Sequence, residues 1–436
     1  MYLYQQLLQR AAQGNPVRVG LIGAGKFGSM FLSQVPRTPG LEVSAIADLD
    51  PAGAQKSCAS VGWSAEQIAA TTFLDDAFDM MTAGDLDVVV EATGNPVVGL
   101  AHARAAIRNG LHIVMVNVEA DVLAGAFLAR EARAAGVVYS MAYGDQPALT
   151  CELVEWARST GFEVVAAGKG TKYLPAYHGS TPDTVWDHYG LTPEQAKLAG
   201  MNSQMFNSFL DGTKSALEMA AIANATGLSA PSTGLQFPPA GMDDLAHVLR
   251  PCAEGGQLEE KGQVEVVTSV ERDGRPVHKD LRWGVYVVIE APNDYTAACF
   301  KQYGMNTDPS GRYSAMYKPF HLIGLELNMS ILSAALLGTP TGSTLEFKAD
   351  VVATSKRRLT RGEVLDGEGG YTVWGKLYRA EDSLALGGLP IGLAHHVRLT
   401  SDIEENQPVT WNDVEIDDSQ AAVQIRKSLE SNSVSK

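Results

Sequence analysis

Asn207, Asp211, Lys214 and Glu218 follow one another at intervals of four, three and four residues. In a helix that spacing stacks them along one face. Phe206, Phe209, Leu210, Leu217 and Ala221 fall at adjoining angles, so the polar stripe borders an apolar one and is expected to be partly buried. A half-buried lysine between two carboxylates has its proton affinity set by both, which suits acid–base work near neutral pH. Lys214 is therefore the candidate proton donor, with Asp211 and Glu218 setting its charge and Asn207 reaching a substrate. The same spacing also describes an exposed ion-pair ladder. Upstream, Lys169-Gly170-Thr171-Lys172 sets two lysines around Gly-Thr, and Tyr177-His178-Gly179-Ser180-Thr181 is polar and turn-rich. Lys169, Lys172, Tyr177 and His178 are candidates for holding an anionic substrate, or else parts of solvated loops. Lys318 and His321 stand at the head of a helix expected over 322–337, apolar nearly all round and hence buried, with Pro319 in its first turn. They complete the catalytic candidates, although a histidine there would also serve as a core residue.

A second kind of chemistry starts at Val17–Ile22, an apolar run read as a buried strand, followed by Gly23-Ala24-Gly25-Lys26-Phe27-Gly28. In a G-x-G-x-x-G turn the first glycine permits the bend, the second admits a pyrophosphate and the third lets helix pack on strand. With 43 glycines in 436 residues the motif alone is weak. Its context strengthens it: Leu41–Ala47 is a second strand, and Asp48 ends it 20 residues beyond Gly28, where an acidic group accepts from ribose hydroxyls. Asp48 suits the free 2′-hydroxyl of NAD and repels the phosphate of NADP; Lys26 or Arg37 would offset it. The alternative is a glycine-rich turn in another parallel α/β domain.

The elements around these residues alternate. Strands are expected at 87–90, 112–116 and 137–141, with helices at 51–60, 97–109 and 123–135. Thr93 and Gly94 lie in a small-residue turn at a strand's carboxyl end, where cofactors sit, and the polar residues Asn95, Asn117, Glu119 and Asp145 close the strands, placed to face a nicotinamide or a substrate, or to cap helices. The fold class is α/β, with a doubly wound parallel sheet over 1–150 that binds dinucleotide. An α+β catalytic and dimerisation domain follows over 151–340. It holds a strand at 162–167 and two strands over 264–292 around Asp273-Gly274-Arg275-Pro276. Residues 341–436 make a small β-rich module whose last ~16 residues are polar and expected to fray. Lys356-Arg357-Arg358 stands apart from the chemistry above.

The net charge of −16 argues against nucleic acid or an anionic membrane as partner, and an anionic substrate needs a local basic pocket. Four scattered cysteines without C-x-x-C spacing read as thiols in a reducing cytoplasm. Residues 1–14 read as a short amphipathic helix rather than an export signal. No apolar run of about 18 residues suggests a membrane span.

Gly-Ala-Gly-Lys-Phe-Gly at 23–28, Val-Val-Val-Glu-Ala-Thr-Gly at 88–94 and Asp-Gly-Thr-Lys at 211–214 resemble the homoserine-dehydrogenase-like NAD(P) oxidoreductases. The tail, from Ala349 through Arg361-Gly362-Glu363 to Trp411-Asn412-Asp413-Val414, resembles an SAF domain. Together they resemble the bacterial 1-deoxy-D-xylulose 5-phosphate reductoisomerase-like enzymes. The resemblance implies hydride transfer with NADPH to a small phosphorylated ketose or polyol. The product would be 2-C-methyl-D-erythritol 4-phosphate, an isoprenoid precursor. It also implies a homodimer and an optional magnesium or manganese ion, for which the sequence offers no ligand motif. Homoserine dehydrogenases carry Asn-Lys where this chain has Asn117-Val118-Glu119, which argues against homoserine as substrate. The other readings are a homoserine-type dehydrogenase of another small hydroxy or oxo compound, and a cofactor-sensing regulator.

Overall fold

The computed structural model describes residues 2–198 and 200–434. Two compact units account for the chain: Met1–Leu149 with His321–Leu345, and Thr150–Phe320 with Glu346–Lys436.

In the first unit, Val17–Ile22 (β1), Leu41–Ala47 (β2), Thr72–Leu74 (β3), Val88–Glu91 (β4), His112–Met115 (β5) and Tyr139–Met141 (β6) form one sheet. Its order is β3-β2-β1-β4-β5-β6 and every pairing is parallel. Val19, Leu21, Val88, Val89, Val90, Ile113 and Val114 are fully buried, as strands covered on both faces must be. The strand order reverses between β1 and β4, so the cleft at their carboxyl ends is the place for a ligand. This is the doubly wound sheet expected from the sequence.

The segment 322–337 departs from expectation. Turns run to Leu327, the helix spans only Asn328–Leu332, and Ser333–Leu337 continues as a wider π turn. Gly324 breaks the pattern. It adopts φ +77°, and a Cβ there would lie 3.0 Å from the Phe27 carbonyl. Leu327, Ile331 and Leu332 join the core with Val19 and Phe31, while Leu322, Leu325 and Leu337 are exposed. Pro319 lies before this segment in the other unit, not in a first helical turn.

Asp121, wholly buried, accepts from the Tyr139 hydroxyl at 2.7 Å and from Thr344 at 2.9 Å, tying β6 to the segment ending at Leu345. Burial pushes its carboxyl up from 3.8 to about 6, against the pull of both hydroxyls. The folded protein holds this proton more tightly than the unfolded chain. The group's stabilising contribution is therefore complete below about 4 and lost as pH rises through about 6. Asp121→Asn is expected to remove that loss. The melting temperature of the variant, measured relative to the parent, should climb between pH 5 and pH 8; a flat difference would refute the assignment.

In the second unit, Glu163–Thr171 (β7), Gln263–Thr268 (β8), Val285–Glu290 (β9) and Tyr313–Lys318 (β10) form a mixed sheet in the order β10-β9-β7-β8. The two strands expected around Asp273–Pro276 exist but do not pair with each other. β7 lies between them, parallel to β8 and antiparallel to β9. The turn closes only a small loop, with the Glu271 amide donating to Arg275 at 2.7 Å. β7 runs on past Ala167 because Gly168 and Gly170 let the flanking chain approach: a Cβ on either would sit 1.9 Å from a backbone oxygen.

Ala349–Ser355 (β11), Val364–Asp366 (β12), Val373–Arg379 (β13), His395–Leu399 (β14) and Val414–Glu415 (β15) build two small antiparallel sheets, β11-β13 and β12-β14-β15. The tail expected to fray is instead the helix Ala421–Val434. Its Ala422, Val423, Ile425 and Leu429 are buried, and the Arg426 guanidinium meets Asp350 at 2.5 Å without exposure. Among the described residues no helix is long and apolar enough to cross a membrane.

Candidate active site

In the first unit the glycine turn is built as its spacing requires. Gly23 adopts φ +91°, and a Cβ on Gly28 would lie 2.4 Å from the Gly23 carbonyl, so helix Lys26–Leu32 packs directly on the turn. A Cβ on Gly25 would meet nothing within 4 Å, which leaves the open cradle a pyrophosphate needs. Asp48 does double duty. One carboxylate oxygen accepts from Ala24 N–H at 2.8 Å and the other from Asp50 N–H at 2.9 Å, fixing the turn while its other lone pairs remain for a ribose. Lys26 is exposed and Phe27 half-buried.

At the next strand ends, Thr93 donates to Glu91 at 2.5 Å, and Gly94 has φ +71°. Asn95 caps helix Pro96–Arg108 through Val97 and Val98 N–H, each at 3.1 Å. Asn117 caps helix Val118–Ala135 through Ala120 N–H at 3.0 Å and donates to the Asn95 carbonyl at 2.8 Å. Both amides thus brace the strand ends. Glu119, two residues beyond Asn117, and Asp145, beyond β6, are also buried.

The stripe Asn207 to Glu218 is not one helix. Helix Ser203–Leu210 stops at Asp211, Gly212 turns with φ +94°, and helix Thr213–Thr226 begins anew. Glycine is required there: a Cβ at that left-handed position would also press to 3.3 Å on His178. Asn207, Asp211 and Glu218 are buried and Lys214 half-buried, but the carboxylates meet other lysines. Glu218 pairs with Lys169 of β7, both beneath the surface. Asp211 pairs with Lys356 at 2.8 Å, the two side chains 0 and 2% exposed. The remaining donors of Lys356 reach the carbonyls of Ser180 at 2.8 Å and Gly370 at 2.7 Å. Asn207 braces the same loops, donating to Ser180 at 3.0 Å and Gly369 at 2.8 Å. The expected lysine between two carboxylates becomes two buried ion pairs, and Lys356 of the apparently separate basic cluster is central to one.

His178 lies against this scaffold. Its Nδ1 is 2.7 Å from the Asp211 carbonyl, which can only accept, so Nδ1 carries the proton. Nε2 then accepts from the Tyr173 hydroxyl at 2.6 Å. Trp374 stacks on the imidazole at 3.7 Å, and Phe237 stacks on Tyr173 at 3.8 Å. Burial holds the imidazole below its usual proton affinity and raises that of the Tyr173 phenol. Sequence reasoning singled out His178 but missed Tyr173, Trp374 and Lys356. Only the closeness of Tyr173 to His178 was a signal.

Tyr177 is buried beside His188, and Lys172 donates to the His188 carbonyl at 2.5 Å. Lys318 lies at the end of β10, 5.8 Å from the Phe320 ring, and His321 belongs to the first unit. Among the described residues no group of three or more His, Cys, Asp or Glu side chains is arranged to hold a metal ion.

Comparison with known proteins divides the chain similarly. Residues 23–141 match the family described as homoserine dehydrogenase, NAD binding domain, and residues 144–327 the oxidoreductase DRL, catalytic domain. A homoserine dehydrogenase of Neisseria gonorrhoeae is 32% identical over 111 residues, 23% of each chain. Among solved structures, a homoserine dehydrogenase from Thiobacillus denitrificans is 14% identical with a TM-score of 0.45, covering 79% of this chain and 83% of that one. The WlbA dehydrogenase from Bordetella pertussis, solved with NADH and UDP-GlcNAcA, is 19% identical with a TM-score of 0.28, covering 37% of this chain and 48% of that one. This chain thus spans under a quarter of the curated relative and about half of the WlbA enzyme. Residues 23–141 are thus similar to a homoserine dehydrogenase NAD-binding domain, and residues 144–327 to an oxidoreductase DRL catalytic domain.

Proposed function

We propose that this protein transfers hydride between NAD(P) and a small hydroxy or oxo compound, with 1-deoxy-D-xylulose 5-phosphate as the first substrate to test. The observation that carries the reading is the Tyr173–His178 pair within the segment matched to an oxidoreductase catalytic domain. A phenol donating to a neutral imidazole is a two-member chain able to deliver or collect the proton that accompanies hydride transfer. A bound nicotinamide supplies or takes the hydride. In the alcohol-oxidising direction the substrate hydroxyl gives its proton to the Tyr173 oxygen as Tyr173 passes its own to the free His178 Nε2, and reduction runs the same transfers backwards from the imidazolium. The Asp211 carbonyl keeps the imidazole in the required tautomer, and Lys356 keeps Asp211 in place. Lys214, in the first turn of helix Thr213–Thr226, polarises the same oxygen.

NAD is the proposed coenzyme, because Asp48 ends β2 against the glycine turn, where an acidic group accepts from the ribose hydroxyls and repels a 2′-phosphate. On sequence resemblance alone we further propose an SAF-like module over 341–436, a cytoplasmic homodimer, and a divalent ion as an optional requirement. The test is oxidation of NADH and NADPH with 1-deoxy-D-xylulose 5-phosphate, with and without magnesium or manganese, beside a panel of polyols, hydroxy acids and homoserine. NADH is expected to bind at least about tenfold more tightly than NADPH, and Asp48→Ser to erase that preference. Turnover with the phosphoketose supports the reductoisomerase-like reading. Turnover only with another member of the panel leaves a plain dehydrogenase. No turnover by protein that binds NADH removes the proposal.

A further inference from the structure

The lysines of the Lys169–Lys172 segment have opposite fates. Lys169 is neutralised by Glu218. Lys172 meets no carboxylate among the described residues: its ammonium reaches only the His188 carbonyl and lies 5.9 Å from the Tyr189 ring. A second cation without a counter-charge, Arg282, follows on the segment whose backbone packs against Gly170. Gly170, two residues before Lys172, is pressed against the Leu281–Arg282 backbone so closely that a Cβ would stand 2.9 Å from Arg282 N. The Arg282 guanidinium lies 4.6 Å over the exposed Trp283 ring and makes no ion pair among the described residues. Asp280, the nearby acid, accepts from the Arg282 backbone amide at 2.9 Å instead.

We propose that Lys172 and Arg282 form an anion subsite that takes a phosphate monoester, the charged end of the substrate in the reading given above, on which this inference rests. Two cations held together in a chain of net charge −16 are stabilised by a doubly charged ligand. The guanidinium fork supplies paired donors to two oxygens of a tetrahedral anion, and the ammonium reaches a third. Tyr177 and Tyr189 lie within the field of Arg282. Half-burial and the Arg282 charge both lower the proton affinity of Lys172, the strain expected of a cation lacking its counter-ion.

Inorganic phosphate titrated into the full chain, with Trp283 fluorescence as the reporter, tests this without turnover. Saturable quenching is expected, absent in Trp283→Phe, and weakened about tenfold or more in Arg282→Gln and in Lys172→Met, with unchanged melting temperatures certifying the fold. Equal quenching by chloride at matched ionic strength, equal affinity for acetate, or unaltered phosphate affinity in Arg282→Gln each overturns the subsite. The two readings fail separately. Weakened phosphate binding in a protein that turns over nothing leaves the subsite and removes the dehydrogenase. Turnover of a phosphorylated substrate with KM unchanged in Arg282→Gln does the reverse.

Discussion

Replacing Lys356 with methionine is expected to destabilise the second unit by about 3–5 kcal/mol, the usual consequence of stranding one member of a buried ion pair. Asp211 is wholly buried and would keep only the Thr213 amide at 2.9 Å as a described donor to its carboxylate. The Ser180 and Gly370 carbonyls lose a donor in the same step. In a unit of this size the loss lowers the melting temperature by on the order of 10 °C, read by calorimetry as the shift of one transition. The pair is sealed from salt, so raising ionic strength should leave the difference between parent and variant nearly unchanged. Replacing both partners, Lys356→Met with Asp211→Leu, should recover much of the loss, because no uncompensated charge remains. A single variant that melts with the parent would show that Asp211 takes up a proton or finds water instead.

What could be read beforehand follows from the range of the interactions. The parallel sheet was legible because strands buried on both faces appear as apolar runs, and because Gly23, Gly25, Gly28 and Asp48 act within one local unit. The second unit depends on distant partners. Lys356-Arg357-Arg358 reads as a basic cluster apart from the chemistry, and two of the three do pair at the surface, Arg357 with Glu363 and Arg358 with Asp402. Only the end of β11 turns Lys356 inward to Asp211, a contact with no periodic trace. Two departures from expectation had local signals. Asp211-Gly212 marks a helix stop that the even spacing of the polar stripe concealed. Lys169 and Lys172 are three apart, so extending β7 through Thr171 separates their directions, one to Glu218 and one to His188. The tail misled for another reason. Its polar residues cover one face of helix Ala421–Val434, and the buried Arg426 counted as polar while serving the core.

The chemistry rests on whether the Tyr173–His178 pair moves a proton or merely braces a loop. Tyr173→Phe keeps the ring stacked on Phe237 and deletes only the hydroxyl. His178→Gln retains a polar group against Trp374 but cannot shuttle a proton. Each is expected to lower kcat by about 10²–10⁴, the share of general acid–base catalysis, with NADH affinity unchanged. Turnover within a few-fold of the parent in both variants would leave the pair a structural brace. The pH profile separates the cases further. The imidazole is neutral at pH 7 because burial lowers its proton affinity below the usual 6.5. As pH falls through the lower folded value, Nε2 gains a proton and ceases to accept from Tyr173, so turnover in the alcohol-oxidising direction should drop on the acid side and His178→Gln should lose that limb. Stability has the same sign: the unfolded imidazole binds its proton at higher pH than the folded one, so the contribution of His178 is complete above 6.5 and lost as pH falls through the folded value. A brace would show the stability limb alone; a proton relay shows both, with the kinetic limb also abolished by Tyr173→Phe while the stability limb persists.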